Sequence, residues 1–249
     1  MIPKIINYCW FGKNPQSDFV KRCIDSWKEQ CPNYEFIEWN EDNFDINSNQ
    51  YVKEAYMARK WAFVSDYVRL YALKTMGGIY LDTDVELIKN LDPFLIYPAF
   101  TGYESKNYIP TAVMGSEPDN EWIRFLLSYY DNNHFINDDG TMNMQTNVIT
   151  ITEMTKSKYS IPFDNNKFEI ENVLTIFPKD YFAPKSPGER HYRITNNTVG
   201  IHHFDGSWME GSKKINHIKL KCSPILRIIR NFIVALIGEK RFTKIRKRG

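Results

Sequence analysis

Cysteine is scarce in this 249-residue chain: Cys9, Cys23, Cys31 and Cys222 are all there is, and none forms a CxxC pair. That count is too low for a disulfide scaffold and predicts reduced thiols in a cytosolic protein. Long apolar runs are missing as well. No stretch reaches the roughly 18 residues that a membrane-spanning helix needs. The opening residues, MIPKIINYCWFG, lack a basic leader followed by a long apolar core, so they do not read as a signal peptide. No internal repeat, low-complexity tract or linker precedes residue 212, which makes a single domain the economical reading. Positive charge is in deficit over most of the chain. Residues 1–212 hold 20 Lys/Arg against 29 Asp/Glu, whereas residues 213–249 hold 12 against Glu239 alone. The overall charge of +2 therefore hides an acidic body and a basic tail. An acidic body without a recognition motif argues against nucleic acid as a partner.

What is present is a globular composition, 43% hydrophobic and 15% aromatic, with ample material for a core. IPKIINYCW reads as a first buried strand, ended by Gly12 and Pro15. Ser17 is a natural N-cap for a helix to about Gln30 with an apolar stripe of Phe19, Val20, Cys23, Ile24 and Trp27. The alternating YEFIEW predicts a second strand. Strand, helix and strand at this spacing predict a parallel α/β unit. Further helices are expected over about 51–59 and 62–76, with Gly77 and Gly78 as the cap and turn into IYLDTD. Downstream, AFTGY reads as apolar, YIPTAVMGS as a strand pair or turn, and NEWIRFLLSYYDNN as helical. Residues 131–145 look loop-like, 146–155 fit helix or strand, and two late strands follow.

The stretch GGIYLDTDVEL ends an apolar run on Asp82 and Asp84. Alternation along a strand would put both carboxylates on one side, about 7 Å apart. Placed at the carboxyl end of a parallel strand, where ligands bind in open α/β folds, such a pair can share Mg²⁺ or Mn²⁺ with bound phosphates. Two other readings stay open. The same residues fit the strand-borne DxDx[T/V] of haloacid-dehalogenase-type phosphatases, with Asp138 and Asp139 as a later acidic element. The pair can also be a plain solvated strand end. Upstream, Asp66 and Arg69 stand three residues apart on one helix face, with Ser65 beside them. Spacing alone does not separate a surface ion pair from a binding pair.

The string Ala62, Ser65, Asp66, Arg69, Leu73, Gly77, Gly78, Tyr80, Asp82, Asp84 closely resembles glycosyltransferase family 32, the DxD sugar-binding group. IPKIINYCWFG resembles that family's opening strand, with Asn7 where the family usually has His. VGIHHFDGSW resembles its C-terminal H-x-x-x-S-W signature. The resemblance covers roughly residues 2–208 and implies an α/β, GT-A Rossmann-like domain over residues 1–222 with a mixed, mostly parallel central sheet. It implies a metal-dependent, retaining transfer from a nucleotide sugar, UDP-hexose favoured, to a glycan or lipid-linked saccharide in bacterial surface polysaccharide synthesis. The alternatives are the phosphatase and a non-catalytic carbohydrate-binding domain. By the resemblance, Asp84 binds Mn²⁺ or Mg²⁺, and Asp82 contacts ribose, sugar or a metal-bound water. Asp66 and Arg69, with Ser65 adjoining, hold the donor sugar. Trp10 is placed to stack on the base. Of the adjacent His202 and His203, His203 is favoured as a metal ligand for its four-residue offset from Ser207, itself an expected ligand. The Trp208 indole N–H suits a phosphate oxygen.

The tail, residues 223–249, joins Ile225, Ile228, Ile229, Phe232, Ile233, Leu236 and Ile237 to a basic cluster ending at Arg248. That is the pattern of an interfacial amphipathic helix drawn to anionic lipid; the alternative is a C-terminal helix packed on the domain or on a second subunit. A peripheral position on the inner face of the cell membrane follows as an expectation.

Overall fold

The computed structural model describes residues 1–205, apart from residues 106, 188 and 190. The described residues form one compact unit, Met1–Asp205. Ser207, Trp208, the boundary at 222/223 and the basic tail all lie outside the described residues.

The unit opens β1 (Ile5–Cys9), α1 (Asp18–Gln30), β2 (Glu35–Trp39), α2 (Gln50–Met57), α3 (Trp61–Thr75), β3 (Gly78–Leu81), β4 (Val85–Leu87). It continues with β5 (Ala99–Gly102), β6 (Val113–Ser116), α4 (Glu121–Leu127), α5 (Asn147–Lys158), β7 (Phe168–Ile170), β8 (Leu174–Phe177) and β9 (Gly200–His202). Seven strands form one mixed sheet in the order β2-β1-β3-β6-β5-β8-β7, and β4 pairs with β9 in a small antiparallel sheet. Within the large sheet only β6 and β7 oppose the common direction of the other five strands. The mixed, mostly parallel α/β architecture expected from the sequence is therefore present. Among the described residues, no helix is long and apolar enough to cross a membrane.

Alternation along the strands divides the core between the two faces of the sheet. Ile6, Ile79, Leu81 and Val113 join α1 through Val20, Ile24 and Trp27. Cys9, Tyr80 and Met114 join α2, α3 and α4 through Val52, Val64, Leu73 and Trp122. Ser17 caps α1 as its sequence position suggested, its side chain accepting from the Val20 N–H. The same helix fixes strand β4 of the small sheet: Trp27 Nε1–H donates to the Val85 carbonyl at 2.7 Å, and Ser26 Oγ accepts from the Leu87 N–H at 3.0 Å.

The turn from α3 into β3 needs glycine twice. Gly77 and Gly78 have φ of 67° and 93°, a region that costs side-chain-bearing residues energy. A Cβ on Gly78 would also lie 2.6 Å from the Ile5 carbonyl oxygen. Asn7 secures this turn. Fully buried, it donates to the Gly77 carbonyl at 3.0 Å and accepts from Trp39 Nε1–H at 2.9 Å. The residue that departs from the resembled pattern thus has a structural task here.

The Thr-rich segment resolves as helix α5. Its buried face carries Thr150, Thr152 and Thr155. Their hydroxyls meet polar partners: Thr152 accepts from the Ile109 N–H, and Thr155 from Trp122 Nε1–H. YIPTAVMGS supplies one strand, β6, rather than a pair.

Candidate active site

Asp82 and Asp84 do not lie on a strand. β3 ends at Leu81, and the two carboxylates occupy a tight turn closed by the Val85 N–H donating to the Asp82 carbonyl at 2.9 Å. The turn, not strand alternation, sets their spacing. The Asp82 N–H is held by the Ala112 carbonyl at 2.9 Å, which ties the turn to the neighbouring β6.

The helix pair reaches this turn from α3. That helix is buried on most of its circumference, and Asp66 and Arg69 are 8% and 4% exposed, which removes the surface-pair reading. Arg69 Nη2 donates to Asp66 Oδ1 at 3.0 Å, and Nη1 lies 3.1 Å from Asp82 Oδ1. Further N–H groups donate to the carbonyls of Thr111 and Ser65 at 2.8 and 3.3 Å. The guanidinium carbon stands 4.6 Å from the Tyr80 ring centroid, and Tyr80 Oη–H donates to Asp82 Oδ1 at 3.1 Å. The fork expected to hold the donor is thus committed within the protein, as a strut between α3 and the DxD turn. Burial pushes the Asp66 carboxyl up to about 6, opposed by Arg69 and reinforced by Asp82. Burial alone would lower the Arg69 pKa, but Asp82, Tyr80 and Asp66 drive it upward, so the guanidinium stays charged. Ser65 turns its hydroxyl back onto the Trp61 carbonyl at 3.1 Å. Cys9, packed beneath this network, has its thiol raised to about 12 by burial, which leaves it unreactive.

The last described strand closes the site. β9 pairs with β4 so that His202 stands opposite Val85. The His203 N–H donates to the Asp84 carbonyl at 3.0 Å, and the Asp205 N–H to Asp84 Oδ2 at 2.9 Å. His202 Nε2 lies 3.4 Å from Asp84 Oδ1. Burial would raise the Asp84 pKa, yet the His202 interaction and the Asp205 N–H hold it below the usual carboxylate range. Burial would lower His202, but Asp84 raises it, with Asp82 and Glu104 adding to the effect.

Donor atoms of Asp82, Asp84 and His202 all come within 4.8 Å of one another, a grouping able to hold a metal ion. Two carboxylates and one imidazole suit Mn²⁺ better than Mg²⁺, whose usual ligands are oxygens. The histidine here is His202, not the expected His203. His203, the residue just past β9, turns the other way. Its Nε2 meets Glu86 Oε2 and its Nδ1 meets Tyr192 Oη, each at 2.9 Å, with Phe19 edge-on. Trp10 is half-buried just past the end of β1, its indole N–H donating to the Asn14 carbonyl at 2.6 Å.

Two residues that no motif marked complete the site. Asn147, first in α5 and 6% exposed, neighbours Asp66 and draws its pKa down. Neither atom of its amide has a hydrogen-bond partner. Glu104 lies just past β5, within 4.0 Å of His202 Nδ1. A position immediately after an apolar strand is the one signal that points to Glu104 from sequence. Asn147 sits where the resemblance is weakest. Asp139, considered for a phosphatase site, caps its own loop by accepting from the Thr141 N–H and hydroxyl.

Residues 17–101 match the family described as the glycosyltransferase sugar-binding region containing the DXD motif. The chain is 32% identical over 149 residues to inositol phosphoceramide mannosyltransferase 3 of Schizosaccharomyces pombe, covering 54% of this chain and 40% of that protein. It is 30% identical over 176 residues to an uncharacterized glycosyltransferase of Acanthamoeba polyphaga mimivirus, covering 63% of this chain and 67% of the viral protein. The alignments span about two fifths of the length of the fungal relatives. Among solved structures, the PaToxG glycosyltransferase aligns with a TM-score of 0.48 at 19% identity, covering 63% of this chain and 69% of that one.

Proposed function

This chain belongs to the glycosyltransferase family whose sugar-binding region contains the DXD motif, and we propose that it moves a hexose from a nucleotide-sugar donor onto a hydroxyl of a lipid-linked acceptor. The observation that carries this reading is the position of Asp82. It joins the buried Asp66–Arg69 pair to the Asp84–His202 pair, so sugar-facing and phosphate-facing groups are built as one unit. Fungal relatives named for mannosylating inositol phosphoceramide support a hydroxyl-rich lipid head group as acceptor. Their names also support a mannosyl donor as a candidate alongside the UDP-hexose favoured from sequence. A role in bacterial surface polysaccharide rests on the family resemblance alone. The phosphatase reading has no support, since Asp82 Oδ1 is engaged by Arg69 and Tyr80 rather than free to attack phosphorus.

In this proposal Asp66 and Asn147 take the hydroxyls of the donor sugar. Their polar atoms are buried, so a matching hydroxyl is worth more there than in water. Arg69 keeps Asp82 fixed. Asp82, Asp84 and His202 would hold a divalent cation, which supplies charge neutralisation of the donor diphosphate as a leaving group. The acceptor oxygen bonds to the anomeric carbon as the bond to the diphosphate oxygen breaks, and the acceptor proton passes to that departing oxygen. Attack from the leaving-group face retains configuration. The basic tail, outside the described residues, is proposed to keep the enzyme at an anionic membrane face. Liposome flotation lost on removing residues 223–249 supports that role, and equal flotation rejects it.

The decisive test is a screen of the full chain with Mn²⁺ over UDP-, GDP- and dTDP-sugars, a mannosyl donor included. One preferred donor should release its nucleoside diphosphate. Asp84→Asn should reduce turnover by about 100-fold or more, and His202→Ala should weaken it far more than His203→Ala. Full activity of the Asp84 variant would remove the cation assignment. An inverted linkage in the product by NMR would reject front-face transfer.

A further inference from the structure

His202 presents two nitrogens with unequal surroundings. Nε2 faces Asp84, whereas Nδ1 is buried and has no hydrogen-bond partner. A buried donor left unpaired is costly. The group across from it is Glu104, whose Oε1 lies 4.0 Å from Nδ1, with both side chains nearly buried at 13% and 12% exposure. Glu104 is itself under-used. Among the described residues its carboxylate forms no hydrogen bond. Lys179, whose charge it also feels, donates instead to Ser186 Oγ. The backbone around Glu104 is nonetheless fixed: its N–H donates to the Tyr108 carbonyl at 3.0 Å, and the preceding Tyr103 N–H to the Phe177 carbonyl at 2.9 Å.

A neutral imidazole that offers a lone pair at Nε2 carries its proton at Nδ1. That proton needs an acceptor, and metal-binding histidines regularly find one in a carboxylate or carbonyl. We propose that Glu104 is the positioning residue of His202: it accepts the Nδ1–H and so aims the Nε2 lone pair at the point between Asp82 and Asp84. A movement of about 1 Å brings the two groups to hydrogen-bond distance. Ring orientation is set on the other side by Phe204, whose ring centroid lies 3.8 Å from that of His202. The assignment rests on reading Asp82, Asp84 and His202 as a divalent-cation site, and it adds a residue from just past β5 to a site otherwise built from α3, the DxD turn, α5 and β9.

Mn²⁺ binding to the full chain, followed by EPR, tests it. Free Mn²⁺ gives the affinity, and pulsed EPR detects the ¹⁴N coupling of a coordinated imidazole. The wild-type chain should bind with a ¹⁴N signal that His202→Ala abolishes. Glu104→Leu should lose about 10-fold or more in affinity together with most of the ¹⁴N signal. Glu104→Gln, which still offers an acceptor oxygen, should keep both near wild type. Glu104→Ala repeats the measurement with a smaller side chain should leucine disturb folding. If Asp84→Asn weakens binding while the Glu104 variants bind as wild type with the ¹⁴N signal intact, the positioning role is overturned and the cation site stands. If the wild-type chain binds no Mn²⁺, both assignments fall.

Discussion

Two charge clusters share Asp82 and are built on opposite terms. On the α3 side, Arg69 sits between Asp66 and Asp82 with its N–H groups on defined acceptors and its face against Tyr80. On the β9 side, Asp84 and Glu104 flank His202 over 3.4 and 4.0 Å, and the imidazole keeps an unpaired nitrogen. The first cluster is closed, with partners matched. The second is open, with His202 Nδ1 and the Glu104 carboxylate facing each other unjoined. The difference teaches which half is scaffold and which is chemistry. A closed buried network holds geometry and collapses when its central member is removed, whereas a cluster with an unjoined pair can lose a member without losing the fold.

The largest effect should come from breaking the closed cluster. Arg69→Ala leaves the buried Asp66 and the partly exposed Asp82 without their cation, which costs about 3–5 kcal/mol of stability and abolishes transfer. Arg69→Lys should rescue little, because an ammonium cannot span the same set of acceptors. Denaturant unfolding with activity assays checks both. A stable Arg69→Ala chain would show that the strut is not needed for folding.

An intermediate effect, on binding rather than stability, sharpens the contrast. Asn147→Leu removes an amide that reaches no full hydrogen-bond geometry yet still favours the Asp66 anion, so the two effects offset and thermal stability should change by no more than about 1 kcal/mol. The KM for the donor should rise by about 10-fold or more at the same time. A fall in stability with unchanged KM would make Asn147 a packing residue.

The effect most remote from the site, on stability alone, concerns the loop that leads to Asn147. Glu54 Oε2 accepts from the Phe135 and Ile136 N–H groups at 2.8 and 2.9 Å, and Oε1 meets His134 at 2.9 Å. Burial would raise its pKa, but the Ile136 N–H and His134 lower it from 4.5 to about 2. A depressed carboxylate stabilises the fold above its unfolded pKa and loses that contribution as pH falls through the folded value. Glu54→Gln should therefore cost about 2 kcal/mol at pH 7, and the penalty should shrink between pH 4.5 and 2. Amide exchange at Phe135 and Ile136 reads it directly. A penalty independent of pH would point to shape rather than charge.

How much of this was legible depended on how local each signal was. The α1 stripe, its Ser17 cap, the paired glycines and the string from Ala62 to Asp84 are written in consecutive residues and came through. The Thr-rich α5 stayed ambiguous because hydroxyls on its buried face meet polar partners from α4 and the Ile109 backbone. Composition cannot show such partners. The choice between His202 and His203 turned on strand register. One residue of shift reverses every side chain, and the register of β9 is set by Val85 and Leu87, more than a hundred positions away.

The sequence by itself determined the α/β class, the acidic body and basic tail, and the glycine turn that delivers two aspartates to the end of a buried strand. Hydrophobic period, capping and φ > 0 are local properties, and residue types carry them. Only the tertiary structure decided that Arg69 spends its N–H groups inside the protein, that His202 joins the aspartates, and that Glu104 and Asn147 stand at the site. Those outcomes depend on contacts between β5, α5, β9 and the DxD turn. Burial then makes each unmatched polar atom costly enough to define a role.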